Sequence, residues 1–233
     1  MAGDTKATHI SRLVKSARWL ISENEKHRLL IVGGAYLFGL ILAFIIKPGN
    51  AYVPFATAFG GLALIIMNIL LTIGTLTVDY PSLVKLGTSR RISLGAAIAE
   101  TFGISMLMAV ILVLLAYIEK ILCGALEQPL FIPAGLLLTI LVVLNLLCYS
   151  FGLVAAVLIG RFGQNGLVAV WFMFIFFFTL LPAALMRLSE RFDWFVNFLN
   201  LATANPAVTF VVTFAICAIV DIFMLRILYK TTF

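Results

Sequence analysis

Val78-Asp79-Tyr80-Pro81-Ser82-Leu83-Val84-Lys85-Leu86-Gly87-Thr88-Ser89-Arg90-Arg91-Ile92-Ser93 is a polar, basic interruption between two long apolar runs. Asp79, Pro81 and Ser82 are turn or helix-start residues, because proline's missing N–H costs little in a helix's first turn. Residues 82–86 have room for about one helical turn, and Gly87 is suited to end it in the left-handed conformation. Lys85, Arg90 and Arg91 follow, and such charges hold a loop on the cytoplasmic side. The spacing predicts a short polar helix on the inner face of a membrane domain, placed to dock a soluble partner.

The flanking runs, 53–77 and 94–117, are two of six apolar stretches; the others are 29–46, 130–159, 167–186 and 207–228. A helix needs about 20 apolar residues to cross the hydrocarbon. The first stretch is at the short limit, and the fourth is long enough to tilt or to break between Asn145 and Gly152. The chain is 63% hydrophobic and 11% charged with mean hydropathy +1.15, against about 25% charged for a soluble domain. The expectation is an all-α integral membrane protein with six transmembrane helices. The alternation that a membrane barrel requires is absent. The 28-residue charged leader is too long for a cleaved signal, and no small-x-small site follows Ile46 before Val53. Cys123, Cys148 and Cys217 are too scattered for a disulfide framework and read as small apolar fillers.

Charge asymmetry sets the expected orientation. Lys6, Arg12, Lys15, Arg18, Lys26 and Arg28 precede the first stretch, Arg161 lies between the fourth and fifth, and Arg226 and Lys230 end the last. On the other side Lys47, Lys120, Arg187 and Arg191 are offset by Glu119, Glu127, Glu190 and Asp193. Both termini are therefore expected in the cytoplasm. The net charge of +6 reads as topology and contact with anionic lipid, not as a nucleic-acid surface.

Residues 8–26 suggest an amphipathic helix in the plane of the interface. Ile10, Leu13, Val14, Ala17, Leu20 and Ile21 form one stripe, with Arg12, Lys15, Ser22 and Glu23 opposite. Trp19 falls within the polar face, reading either as an imperfection or as a protein-facing residue. Residues 1–28 make a basic tail and amphipathic lead-in, and 29–233 a single transmembrane domain. Lys47-Pro48-Gly49-Asn50 reads as a tight outer turn, 119–129 as a short outer loop and 161–166 as a shorter inner one. In 189–206, Phe192, Trp194, Phe195, Phe198, Leu199 and Leu201 alternate with Asp193, Asn197 and Asn200, which fits an outer interfacial or re-entrant helix.

The chemistry is largely one of absences. GxxxxGK[ST], HExxH and GxSxG do not occur, so the sequence offers no catalytic residues, no metal site and no cofactor of its own. Ionisable groups within spans are costly and mark candidate sites; here they are Glu100, Asp221 and Arg226. Asp221 and Arg226 are roughly 140° apart around a helix, so each is expected to find its partner on another helix, with Arg226, Arg90 and Arg91 the cations nearest in depth. Such groups read either as ion pairs that fix packing or as the wall of a polar inward cavity. Trp171, Phe172, Phe174, Phe176, Phe177 and Phe178 load the fifth stretch with aromatics, for core and lipid contact or as a greasy path. Asn68 and Asn145 are the obvious polar groups near the midplane, and no internal repeat is visible.

The stretch Leu83-Val84-Lys85-Leu86-Gly87-Thr88-Ser89-Arg90-Arg91 resembles the FGxSR[KR] segment after the second span of small bacterial ABC-2 type transporter permeases. The likeness extends to the layout: amphipathic lead-in, six spans, short inner loop, and an outer helix closing at Asn205-Pro206 before the last span. The resemblance implies an elbow helix over 10–26, with Arg12, Lys15 and Trp19 on its polar face. It also implies a coupling helix over 81–89, carried by Pro81, Ser82, Leu83, Lys85, Leu86, Gly87, Thr88 and Ser89, with Arg90 and Arg91 beyond. Leu86 stands where the family often has an aromatic residue. By the same resemblance, two copies of this chain would join two ATPase subunits carrying ATP and Mg in the bacterial plasma membrane, exporting amphipathic or lipophilic cargo such as peptides. The residues leave room for a secondary transporter or channel, or for a non-transporting immunity or scaffold protein.

Overall fold

The computed structural model describes residues 2–46, 52–123, 130, 132–180, 183–184, 187 and 205–230; side chains before Asn24, and those of Ala134, Phe177, Phe178, Pro206 and Thr209, are not described. Helix α1 (Ala2–Ile45) is 44 residues long without a break. No proline precedes Pro48, and no glycine stands between Gly3 and Gly33, so nothing local ends the helix. The amphipathic segment expected as a separate helix is therefore the first half of a helix whose second half, Asn24–Ile45, is long and apolar enough to span. The side chains of Arg12, Lys15 and Trp19 lie outside the described residues.

The segment that opened the reading differs from expectation in one respect. Helix α2 (Phe55–Gly74), a π-helical turn π1 (Thr75–Asp79) and α3 (Tyr80–Lys85) form one continuous helix, Phe55–Lys85. Pro81 does not start a helix but lies within this one. Proline cannot donate to the helical ladder, and the ladder loosens just before it, where the Tyr80 N–H reaches back to the Thr75 carbonyl in the wide i→i−5 pattern. Gly87 does end the helix as expected, at φ +88. Its N–H meets the Val84 carbonyl at 3.1 Å and the Thr88 N–H meets that of Leu83 at 3.0 Å, the paired bonds of a Schellman cap. Ser89 then caps α4 (Arg90–Ile98), its hydroxyl accepting from the Ile92 N–H at 3.4 Å.

α4, a second π turn, π2 (Ala99–Gly103), and α5 (Ile104–Leu122) make the next continuous span. α6 (Ala134–Phe162) crosses without the break foreseen between Asn145 and Gly152. The inner loop expected at 161–166 reduces to Gly163, at φ +55 and ψ −125, a backbone region open to glycine. α7 (Gln164–Ile175) and a third π turn, π3 (Phe176–Leu180), follow, and α8 (Pro206–Lys230) ends the described chain.

The described residues are all-helical, and five helices are long and apolar enough to cross a membrane: Asn24–Ile45, Phe55–Lys85, Arg90–Leu122, Gly135–Phe162 and Phe210–Lys230. The fifth expected stretch, 167–186, is described through residue 180 as the shorter apolar helix α7 with π3. The architecture is that of a multi-pass membrane protein. The outer turn at 47–50 and the outer helix at 189–204 lie outside the described residues.

Two apolar layers hold the bundle. In one, Val32 of α1, Leu64 of α2, Ala109, Leu112 and Ala116 of α5, and Leu137 and Leu141 of α6 are buried together. In the other, Leu76, Tyr80 and Ala97 pack on Tyr149, Leu153 and Ala156 of α6 and on Leu228 of α8. Glycine lets the helices close. A Cβ on Gly39 would lie 2.6 Å from the Ala56 Cα, and one on Gly152 would lie 2.9 Å from the Thr72 Cβ, the close approach that small residues permit in membranes. By contrast α8 is largely uncovered, with 11% of its apolar window buried.

Candidate functional site

Polar groups gather at four levels of the bundle. At the first, the two π turns bring their polar side chains toward α1. Arg28 and Glu100, both fully buried, form an ion pair with Arg28 Nη2 and Glu100 Oε1 3.2 Å apart. Glu25, one turn earlier on α1, lies 3.0 Å from Arg28 Nη1. The Thr75 hydroxyl donates to Glu100 Oε2 at 3.2 Å, and the Asn24 amide donates to Thr75 Oγ1 at 3.3 Å and to Asp79 Oδ2 at 3.5 Å. π turns recur at functional positions because they re-aim side chains without ending a helix. Here they join Thr75, Asp79 and Glu100 in one network with Asn24 and Arg28.

This corrects the expected pairing. Glu100 meets neither Arg226, Arg90 nor Arg91, but Arg28, the last residue of the expected basic tail. The unbroken α1 explains the difference by carrying Arg28 into the bundle beside Val32. Arg90 instead donates to the Tyr229 carbonyl at 3.3 Å, tying the start of α4 to the end of α8, and Arg226 is exposed.

At the second level, near the middle of the bundle, the Asn68 amide donates to the Asn145 backbone carbonyl at 3.1 Å and to its side-chain oxygen at 3.4 Å. Thr72 donates to Asn68 at 3.4 Å, and Asn145 donates to the Leu141 carbonyl at 2.8 Å. Both asparagines are fully buried and fasten α2 to α6.

Glu119 makes the third level. Expected in an outer loop, it is a fully buried residue of α5. Its carboxylate accepts the Ala56 N–H at 2.9 Å, the Thr57 N–H at 3.1 Å, the Thr57 hydroxyl at 3.1 Å and the Tyr52 hydroxyl at 3.0 Å. It therefore caps the N-terminus of α2 from a neighbouring helix, where unpaired N–H groups and the helix dipole favour an anion. Burial, then Cys123 and Glu119, push the Tyr52 phenol above its usual range, so it stays a donor.

The fourth level has no such satisfaction. Asp221 on α8 is 9% exposed, and its Oδ1 has no hydrogen-bond partner. The Ser150 hydroxyl of α6, 8% exposed, also lacks one. Ser150, Tyr149 and Cys217 are its electrostatic neighbours. Beside them a cavity of about 420 Å³ opens between α6, α7 and α8, walled by Leu147, Ser150, Phe151, Met173, Cys217 and Val220.

The expected docking residues form the tip of the α3–α4 turn. Pro81 and Leu83 are buried, and Ser82, Lys85, Gly87, Ser89 and Arg91 are exposed. Thr88 and Arg90 are half-buried, and Leu86 is 80% exposed. Leu83 thus belongs to the fold, and Leu86 is the apolar group left free at the tip. Trp171 and Phe172 on α7 are 61% and 69% exposed, an outward face suited to lipid rather than an enclosed path. No protein-family model, no curated protein and no solved structure matches this chain.

Proposed function

We propose that this chain is the membrane permease subunit of an ATP-driven exporter, working as a homodimer with two separate ATPase subunits to move amphipathic or lipophilic cargo, peptides foremost. The observation that carries the reading is the α3–α4 turn. A helix projects past a buried anchor, Leu83, closes in a glycine cap, and presents Leu86 with Lys85, Arg90 and Arg91 around it. An exposed leucine on a turn that also exposes Lys85 and Arg91 fits a shallow groove on a soluble partner, where a few apolar anchors carry most of the binding energy. The first half of α1 is the lead-in of this arrangement, and α7 belongs to its fifth span. The chain has no phosphate-binding loop, so nucleotide and Mg belong to the partner. The two midspan asparagines are occupied with each other and with backbone, which leaves little to coordinate a small hydrophilic solute.

The test is a photo-crosslinking residue at position 86, with protein in its native membrane. An adduct with an ATP-hydrolysing subunit, lost on adding Arg90→Glu and Arg91→Glu, is the expected result. Crosslinks to lipid alone would refute the reading. Leu86→Asp should abolish ATPase association while leaving the fold intact, whereas Leu83→Asp would disrupt the bundle itself.

A further inference from the structure

We propose that the cleft between α6, α7 and α8 is a binding site for an amphiphile with an aliphatic chain and a single cationic amine, its chain in the cleft and its ammonium against Asp221 and Ser150. Three independent observations meet there. The cleft's volume, about 420 Å³, lies within the range of about 300–1,000 Å³ found for small-molecule sites, which are apolar with a few placed polar groups. Its walls are apolar apart from Ser150 and the weakly polar Cys148 and Cys217. Ser150 lines it and Asp221 stands beside Ser150, each more than nine-tenths buried, with Asp221 Oδ1 left without a partner. Asp221 follows Cys217 by one helical turn and so shares its face of α8, the face that forms the cleft wall.

Charge selects the occupant. Glu100 shows how this bundle treats a buried carboxylate when a cation is needed: it brings an arginine to within 3.2 Å. Glu119 shows the other solution, backbone and hydroxyl donors on both oxygens. Asp221 has no cation among the described residues, and the single hydroxyl beside it, that of Ser150, leaves Oδ1 without a partner. An intramembrane acidic group without a partner is expensive, and an ammonium donor completes it, because a carboxylate and a hydroxyl together accept its hydrogen bonds. A neutral lipid leaves the carboxylate unmatched, and an anionic one repels it. Cavity, placed acceptors and sign of charge therefore name the same ligand class. The site stands without the coupling reading, since binding needs no nucleotide and no ATPase.

The experiment uses the full chain in neutral phosphatidylcholine nanodiscs. The probe is a twelve-carbon primary amine carrying a photoactivatable diazirine near its chain end, beside matched alcohol and sulfate probes. Adducts are mapped by peptide mass spectrometry. The amine should label the cleft-facing segments around Phe151, Met173 and Cys217 at least tenfold over the alcohol and sulfate. Unlabelled dodecylammonium should compete and dodecanol should not. Asp221→Asn should reduce cleft labelling about tenfold while the protein stays monodisperse. Should Asp221→Asn misassemble, Leu147→Trp blocks the cleft from α6 and should remove labelling with Asp221 intact. Equal labelling by all three probes, or undiminished labelling in Asp221→Asn, overturns the proposal. Labelling confined to the lipid-facing surface of α8 does so as well.

Discussion

Glu119 and Asp221 are both carboxylates buried in membrane-length helices, and the bundle treats them in opposite ways. Glu119 has four donors and, among the described residues, no cation, and the helix it caps is packed against α1, α5 and α6. Asp221 has an unpartnered oxygen, an unpartnered serine beside it and a cleft alongside, on a helix that is largely uncovered. The same contrast runs through the whole molecule. From α1 to α6, the buried carboxylate Glu119 and the asparagines are consumed in fastening helices to one another, although Arg28 Nε, Ser93 Oγ and Ser105 Oγ keep no partner among the described residues. Between α6, α7 and α8, Asp221 is not. A satisfied group supports the fold, while an unsatisfied one imposes a standing cost of roughly 1–3 kcal/mol that a bound partner relieves.

The comparison is broken most forcefully at Arg28. Removing one member of a buried pair strands the other at roughly 3–5 kcal/mol, so Arg28→Ala should lower the melting temperature in detergent more than any other change considered. Arg28→Ala with Glu100→Ala should recover part of that loss; strict additivity would mean that the pair does not act as one. Next comes Glu119→Gln. The amide places a donor against the backbone N–H of Ala56 or of Thr57 and leaves that buried donor unmet, at about 2–3 kcal/mol. Retention of the wild-type melting point would refute the cap on α2. Gly39→Ala should follow at about 1–3 kcal/mol, because its Cβ would meet the Ala56 backbone at 2.6 Å. Gly33→Ala, with nothing within 4 Å, should be neutral or stabilising by up to about 1 kcal/mol. Leu86→Asp, at a position 80% exposed, should fall within about 0.5 kcal/mol and show its effect in partner binding alone.

Apolar periodicity and glycine chemistry carried much of this fold in the open. The apolar runs mark the five long helices, and Gly87 ends its helix where the residue type demanded. Glu100 and Asp221 were visible as costly intramembrane charges. What stayed hidden depends on continuity between elements. Arg28 looked like tail because its charged neighbours are, although Glu25 one turn before it and Val32, Gly39 and Ala43 after it trace one helical face. Glu119 looked like a loop charge because it stands near the end of an apolar run; only the arrival of the α2 N-terminus beside it makes burial favourable. The π turns were hidden too. Pro81 suggests a helix start on local grounds, and a wide turn in the preceding helix is the other way to accommodate its missing N–H.

On the proposal above, Asp221 is held for a ligand and Glu119 for the fold. Thermal melting of Asp221→Leu beside Glu119→Gln in the same nanodiscs tests it most directly. Replacing a buried carboxyl that has no cation by an apolar side chain removes a desolvation cost and gives up only the Ser150 hydroxyl beside it. The account predicts that Asp221→Leu melts at or above wild type while Glu119→Gln melts well below it. A fall for Asp221→Leu equal to that of Glu119→Gln would make Asp221 a structural residue and contradict the account.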